Sequence, residues 1–145
     1  MQQSFLTVKL HELEKEQGRL LARIRLCQKQ DVEFVRKEKE QIREEWEEEE
    51  LLLQQNVANT HSKAVSELAE AQAAYDEKTE EIVKKILPES FHGKESYLED
   101  RAEANALYAE FCIDFAVRAS KNALYAAFEA IESEMECEER RREHE

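Results

Sequence analysis

At 145 residues, with 2 glycines, 1 proline and a formal net charge of −13, the chain is sized for one domain and composed for long helices with few turns. The acid excess repels polyanions over most of the surface, which argues against nucleic acid as a partner. The 41% of hydrophobic residues fall at regular spacing, so the 38% charged fraction reads as solvated helix faces and not as disorder.

The first apolar stripe runs Leu6, Leu10, Leu13, Leu20, Ile24 and Cys27, with Gln17 in its one polar position. Three- and four-residue steps of this kind make a coiled-coil seam and predict a helix from near Ser4. At Asp31 the seam skips one residue and resumes through Val35, Ile42, Trp46 and Leu53, which unwinds a supercoil locally. A single helix over 4–55 is the resulting expectation. Its surface is a charge run, Arg36 to Glu40 and then Glu44 to Glu50, around Trp46, whose indole is suited to anchoring an interface or covering a partner helix. Arg19, Arg23, Arg25 and Lys29 form a local basic segment, either a solvated face or a complement to an acidic helix such as the Glu-rich run of another copy.

Residues 56–61 are mediocre helix formers without Gly or Pro, and they leave a break there open. A second helix is expected over 62–87 from the alternation Val65, Leu68, Gln72, Tyr75, Thr79, Ile82, Ile86, with Glu80–Lys84 and Glu81–Lys85 pairs in support. Pro88 stops it, and Gly93 lets the chain reverse within a turn over 88–95. Ser96 with Glu99 three residues on reads as a capping box opening a third helix over 96–142, whose end Arg140, Arg141 and Arg142 favour.

That third helix differs from the others. Glu110, Asp114, Arg118 and Lys121 occupy one narrow stripe, while Leu107, Phe111, Cys112, Ile113, Phe115, Val117, Leu124, Phe128 and Ile131 cover the remainder. Such a helix needs cover on two sides, and the second helix offers one seam. The surplus implies a folded-back first helix or another chain. Those four polar residues also rule out a membrane span across 104–131.

The expected architecture is therefore a single all-α domain over 1–145, an elongated antiparallel helical hairpin or three-helix bundle with coiled-coil character. Its candidate interface residues are Leu10, Leu13, Leu20 and Ile24, then Trp46, then Phe111, Phe115, Leu124 and Phe128, with Tyr75 and Ile82 on the second helix. Chemistry-bearing motifs are missing from the sequence. Of metal-ligand spacings it holds one Glu-x-x-His, Glu89 to His92, which reads as an exposed loop histidine. Gly18 stands far from Gly93, so phosphate cradles are unsupported. Cys27 and Cys112 read as small core residues, and Cys137 has no activating motif. No catalytic, cofactor or metal site is expected. Three cysteines behind a leader-free start point to a reducing, cytoplasmic setting. The partner expected is a protein, in a homo-oligomer or a helical heterocomplex.

Phe91-His92-Gly93 between two helices resembles the Trp-x-Gly turn of the helical-hairpin proteins in the WXG100-like superfamily, with Phe91 where that family has tryptophan. Tyr125 with Glu129 resembles the downstream Tyr-x-x-x-acidic pattern, and the likeness covers about half the chain. It implies an antiparallel hairpin that dimerises and serves as substrate or targeting partner of a type VII secretion system, exported by a leaderless route. Gly93 would then make the turn, and Tyr125 with Glu129 would carry the export signal. Long charged hairpins are similar also to stalk proteins of type III export and to eukaryotic coiled-coil scaffold subunits.

Overall fold

A computed structural model of the protein describes residues 2–91 and 96–145. Among them every regular element is helical: α1 (Gln2–Gln28), α2 (Val32–Ala58), α3 (Lys63–Glu81), a π-helical turn (Ile82–Ile86), a short 3-10 helix (Leu87–Ser90) and α4 (Tyr97–Glu143). The fold class is all-α. Two compact units divide it, Met1–Ala74 and Tyr75–Glu145.

In the first unit the helix expected over 4–55 is broken at 29–31. Neither glycine nor proline is involved; a side chain does the work. Asp31 is extended (φ −86°, ψ 173°) and its carboxylate accepts the Phe34 amide at 2.9 Å, so it caps α2. The amides of Lys29 and Gln30 close tight turns onto the carbonyls of Leu26 and Cys27, both at 3.1 Å, ending α1.

The chain then folds back. Arg23 donates from Nε to Glu38 at 3.1 Å and from Nη1 to Glu45 at 2.9 Å. Along one straight helix, Arg23 and Glu45 would stand about 33 Å apart, far beyond the reach of a guanidinium. The same fork sets how α2 is rotated. Phe34, Glu38 and Glu45 are half-buried, while the expected seam residues Val35, Ile42, Trp46 and Leu53 are exposed. The covered face is thus displaced by one residue from the apolar seam, about 100° around the helix. Two charge-assisted bonds to one cation prevail over a thin row of apolar side chains.

At the far end α2 stops at Ala58, and 60–62 are non-helical, so the stretch left open at 56–61 ends one helix. Ser62 opens the next without a capping box: its Oγ accepts the Val65 amide at 3.3 Å.

In the second unit regular α-helix ends at Glu81, earlier than the expected 87. Pro88 supplies no amide, and its ring crowds the carbonyl one turn back. The preceding turn widens: the Leu87 amide bonds to the Ile82 carbonyl, the five-residue closure of a π turn. A 3-10 turn follows and places Leu87 among the few buried side chains, 9% exposed. Beyond it Phe91 meets Tyr97 edge-on, ring centroids 5.6 Å apart. Gly93 and His92 lie outside the described residues. Ser96 precedes α4 as expected but forms no side-chain cap; its hydroxyl contacts the Asp100 carboxylate at 3.3 Å, so the capping box with Glu99 is not made. Asp100 lies in the first turn and competes for the same hydroxyl. α4 itself covers the span the sequence indicated, with Arg140, Arg141 and Arg142 in its last turn.

Candidate functional site

α4 has two faces with different tasks. Ser96, Asp100, Ala104, Tyr108 and Cys112 recur every fourth residue and are all half-buried, which defines the side turned into the second unit. On the edge of that side Phe115 stacks on Tyr75, centroids 4.8 Å apart and planes 14° from parallel. Burial raises the Tyr75 phenol above its ordinary value, with Cys112 and Asp76 adding to the shift. Burial likewise raises Tyr108, helped by a hydrogen bond shared with the Cys112 side chain. Cys112 is therefore a small packing residue within an aromatic cluster.

Two residues after Phe115, Val117 points to the opposite side, since successive helical residues advance by about 100°. There Ile113, Val117, Ser120, Leu124, Phe128, Ile131 and Met135 follow one another at steps of four, three, four, four, three and four. This is an eleven-residue pattern, which keeps one face aligned along a nearly straight helix. Ser120 and Ile131 are half-buried; the other five are exposed, Phe128 at 57%. A parallel line, Leu107, Phe111 and Tyr125, is also exposed, Phe111 at 66% and Tyr125 at 65%, but Asp114, Arg118 and Lys121 interrupt it.

Of the sequence-derived interface residues, Leu10, Leu13, Leu20 and Ile24 are exposed on α1, Trp46 on α2, and Phe111, Leu124 and Phe128 on α4. Phe115 belongs with Tyr75, so it links α4 to its own unit. Ile82 is half-buried at the start of the π turn. Tyr125 and Glu129 are both exposed one helical turn apart, and the Glu129 carbonyl accepts the Ser133 hydroxyl at 2.7 Å. Among the described residues the only buried hydrophobic side chains are Leu87 and Ala127.

Sequence reasoning missed the Arg23 fork. The signal was present: Glu38 and Glu45 are seven residues apart and so share a face, while Arg23 stands between Leu20 and Cys27 on the α1 stripe. The Arg23 and Glu38 side chains are largely covered, 18% and 25% exposed. Beside Arg23 the Glu45 carboxyl is held below its ordinary value near 4.5. Arg23 Nη2 is enclosed with no hydrogen-bond partner among the described residues.

Among the described residues no group of three or more His, Cys, Asp or Glu side chains is arranged to hold a metal, and no helix is long and apolar enough to cross a membrane. No family model, curated protein or solved structure matches the chain.

Proposed function

We propose that this chain is a non-enzymatic protein–protein interaction module, a coiled-coil adaptor, scaffold or chaperone-like subunit that works by helix-on-helix recognition. Its helices act as an antiparallel hairpin or bundle, in a reducing compartment suited to three unpaired cysteines. The observation that supports this reading is the row Ile113, Val117, Leu124, Phe128 and Met135, large apolar side chains left in water at helical register. Monomeric proteins rarely expose contiguous apolar surface of this kind, and a helix stripe is matched best by another helix. Leu10, Leu13, Leu20 and Ile24 give α1 a second such stripe.

A photo-crosslinking residue placed at position 128, in the native cells, tests the reading against the same residue at exposed Glu48. The expected result is a defined protein adduct at 128 and none at 48. Equal labelling at the two positions, or none at 128, overturns it.

The exposure of Tyr125 beside Glu129 favours a second reading, a secretion-associated substrate or targeting chaperone of a type VII system, or a type III export stalk. Loss of export in Tyr125→Ala supports it; unchanged export dismisses it.

A further inference from the structure

We infer that the α1–α2 hairpin exchanges between two copies of the chain: α1 and α2 of each copy run on as one helix across 29–31, and Arg23 of each copy reaches Glu38 and Glu45 of the other. This goes beyond the reading of α4 as a docking face and does not rest on it, since it concerns the first unit alone.

The fork selects a second copy as the occupant. It holds α1 and α2 antiparallel, with Arg23 level with the stretch between Glu38 and Glu45. Two straight helices laid antiparallel at that register are centred near residue 32, midway between Arg23 and that stretch. The symmetry of such a pair brings Arg23 of the first to the two carboxylates of the second, and the reverse. Both forks form at once, and each copy keeps the two bonds it has in the hairpin. The charges agree with this pairing. α1 carries five Lys or Arg against three acids, and α2 carries nine acids against four Lys or Arg. Antiparallel exchange sets the basic helix of one copy along the acidic helix of the other, whereas a parallel pair in register would set Arg23 against Arg23.

The hinge favours exchange. Lys29, Gln30 and Asp31 include neither glycine nor proline, and the break is made by two tight turns and the Asp31 cap. Run straight, the amides of Asp31, Val32, Glu33 and Phe34 meet the carbonyls of Cys27, Gln28, Lys29 and Gln30, partners that the first turn of a separate helix lacks. Ile24, Cys27, Asp31, Val35 and Ile42 then lie along one stripe, so the seam that the hairpin interrupts becomes continuous. Opening the hairpin sacrifices little apolar packing, because among the described residues no side chain of α1 or α2 is buried. A hinge of three residues between two 27-residue helices is also short, and short hinges invite exchange.

The test is sedimentation of the full chain. The parent should pass from one chain to two as concentration rises through the micromolar range, and dilution should return the hairpin. A four-residue Gly-Ser insertion between Gln30 and Asp31 lets each copy close its own fork, and should weaken dimerisation about tenfold or more. Charge reversal then separates bonds within a copy from bonds between copies. Arg23→Glu and Glu38→Arg/Glu45→Arg each destroy the fork inside one chain. Mixed in equal amounts, they restore both forks only across two copies. Each variant alone should stay a single chain, and the mixture should form a heterodimer with more helical circular dichroism than the mean of the two. A mixture that stays unpaired overturns the inference, as does a parent that is a single chain at every concentration. A parent dimer left intact by Arg23→Glu overturns it too, and puts the contact on another surface such as the α4 row. Should a reversal variant fail to fold, the insertion decides alone, and dimerisation as strong as the parent's sinks the exchange. Crosslinking at position 128 reports on α4, so either idea can fail without the other.

Discussion

Arg23 does for the first unit what apolar packing does in most helix pairs: it tells α2 which way to face. One planar fork reaches two carboxylates spaced by two helical turns, so a rotation of α2 that kept Glu38 would lose Glu45. Because Glu45 titrates below its ordinary value near 4.5 in the folded chain, its contribution is complete above about pH 4.5 and disappears as pH falls through the lowered folded value. In thermal melts Arg23→Gln should lower the midpoint at pH 7, and the gap from the parent should narrow on going to pH 3. A gap of the same size at both pH values would mean that Arg23 acts through its aliphatic stem. The aromatic cluster of the second unit has the opposite sign. Tyr75 and Tyr108 are raised above their ordinary 10.0, so the neutral phenols favour folding, fully below about pH 10, and that contribution is lost as pH climbs through the raised values. Ultraviolet titration should show Tyr75 and Tyr108 ionising late, and Phe115→Ala should move at least Tyr75 back toward ordinary behaviour. A Tyr75 phenol unmoved by Phe115→Ala would contradict the stacked arrangement.

At the scale of elements the decisive features are caps and turns. Asp31 is the clearest: its single acceptor bond starts α2, and Asp31→Ala should cost about 1 kcal/mol, with faster amide exchange over 32–35, whereas Asp31→Asn should cost little. Slow exchange in the alanine variant would indicate that the break is set by the Arg23 fork instead. This break was legible in part. The sequence shows a one-residue skip of the seam at Asp31, and an Asp before an apolar run is an N-cap signal, but without Gly or Pro the skip reads as a change of supercoil as readily as an end. The extent of α4 was readable because a strong apolar pattern, acids in the first turn and arginines in the last agree. The face α2 turns inward was not. Periodicity reports where apolar residues lie, and here a cation on the neighbouring helix outweighs them. The π turn was likewise hidden, since a proline signals that a helix must adjust and not how many residues it takes to do so. Of the candidate site, the apolar surplus of α4 could be read directly, whereas the division between Phe115, held by Tyr75, and Phe128, left in water, required coordinates.

For the molecule as a whole, the excess of 34 acidic over 21 basic residues is a repulsive charge, while α1 and α4 carry rows of exposed apolar side chains. The two tendencies are separable by mutation. Phe128→Asp should abolish assembly with a partner yet leave the stability within about 0.5 kcal/mol of the parent, as an exposed change. Phe115→Asp should destabilise the chain by about 1–3 kcal/mol, because it drives a charge against Tyr75. Glu48→Ala should do neither. Melts combined with mass measurement in the partner's presence separate the three; equal loss of stability in both phenylalanine variants would mean that the α4 row is structural.

The widened turn at Ile82–Ile86 holds one residue more than an ordinary helix would need between Tyr75 and Leu87. Spreading that surplus over a single loose coil lets both anchors keep their bearings on α4. Excising exposed Val83 should then restore a regular coil and leave Tyr75 seated on Phe115, its phenol still late to ionise. Excising Val83 and Lys78 together would leave one residue too few between the anchors, swing Tyr75 through roughly a quarter-turn and free it.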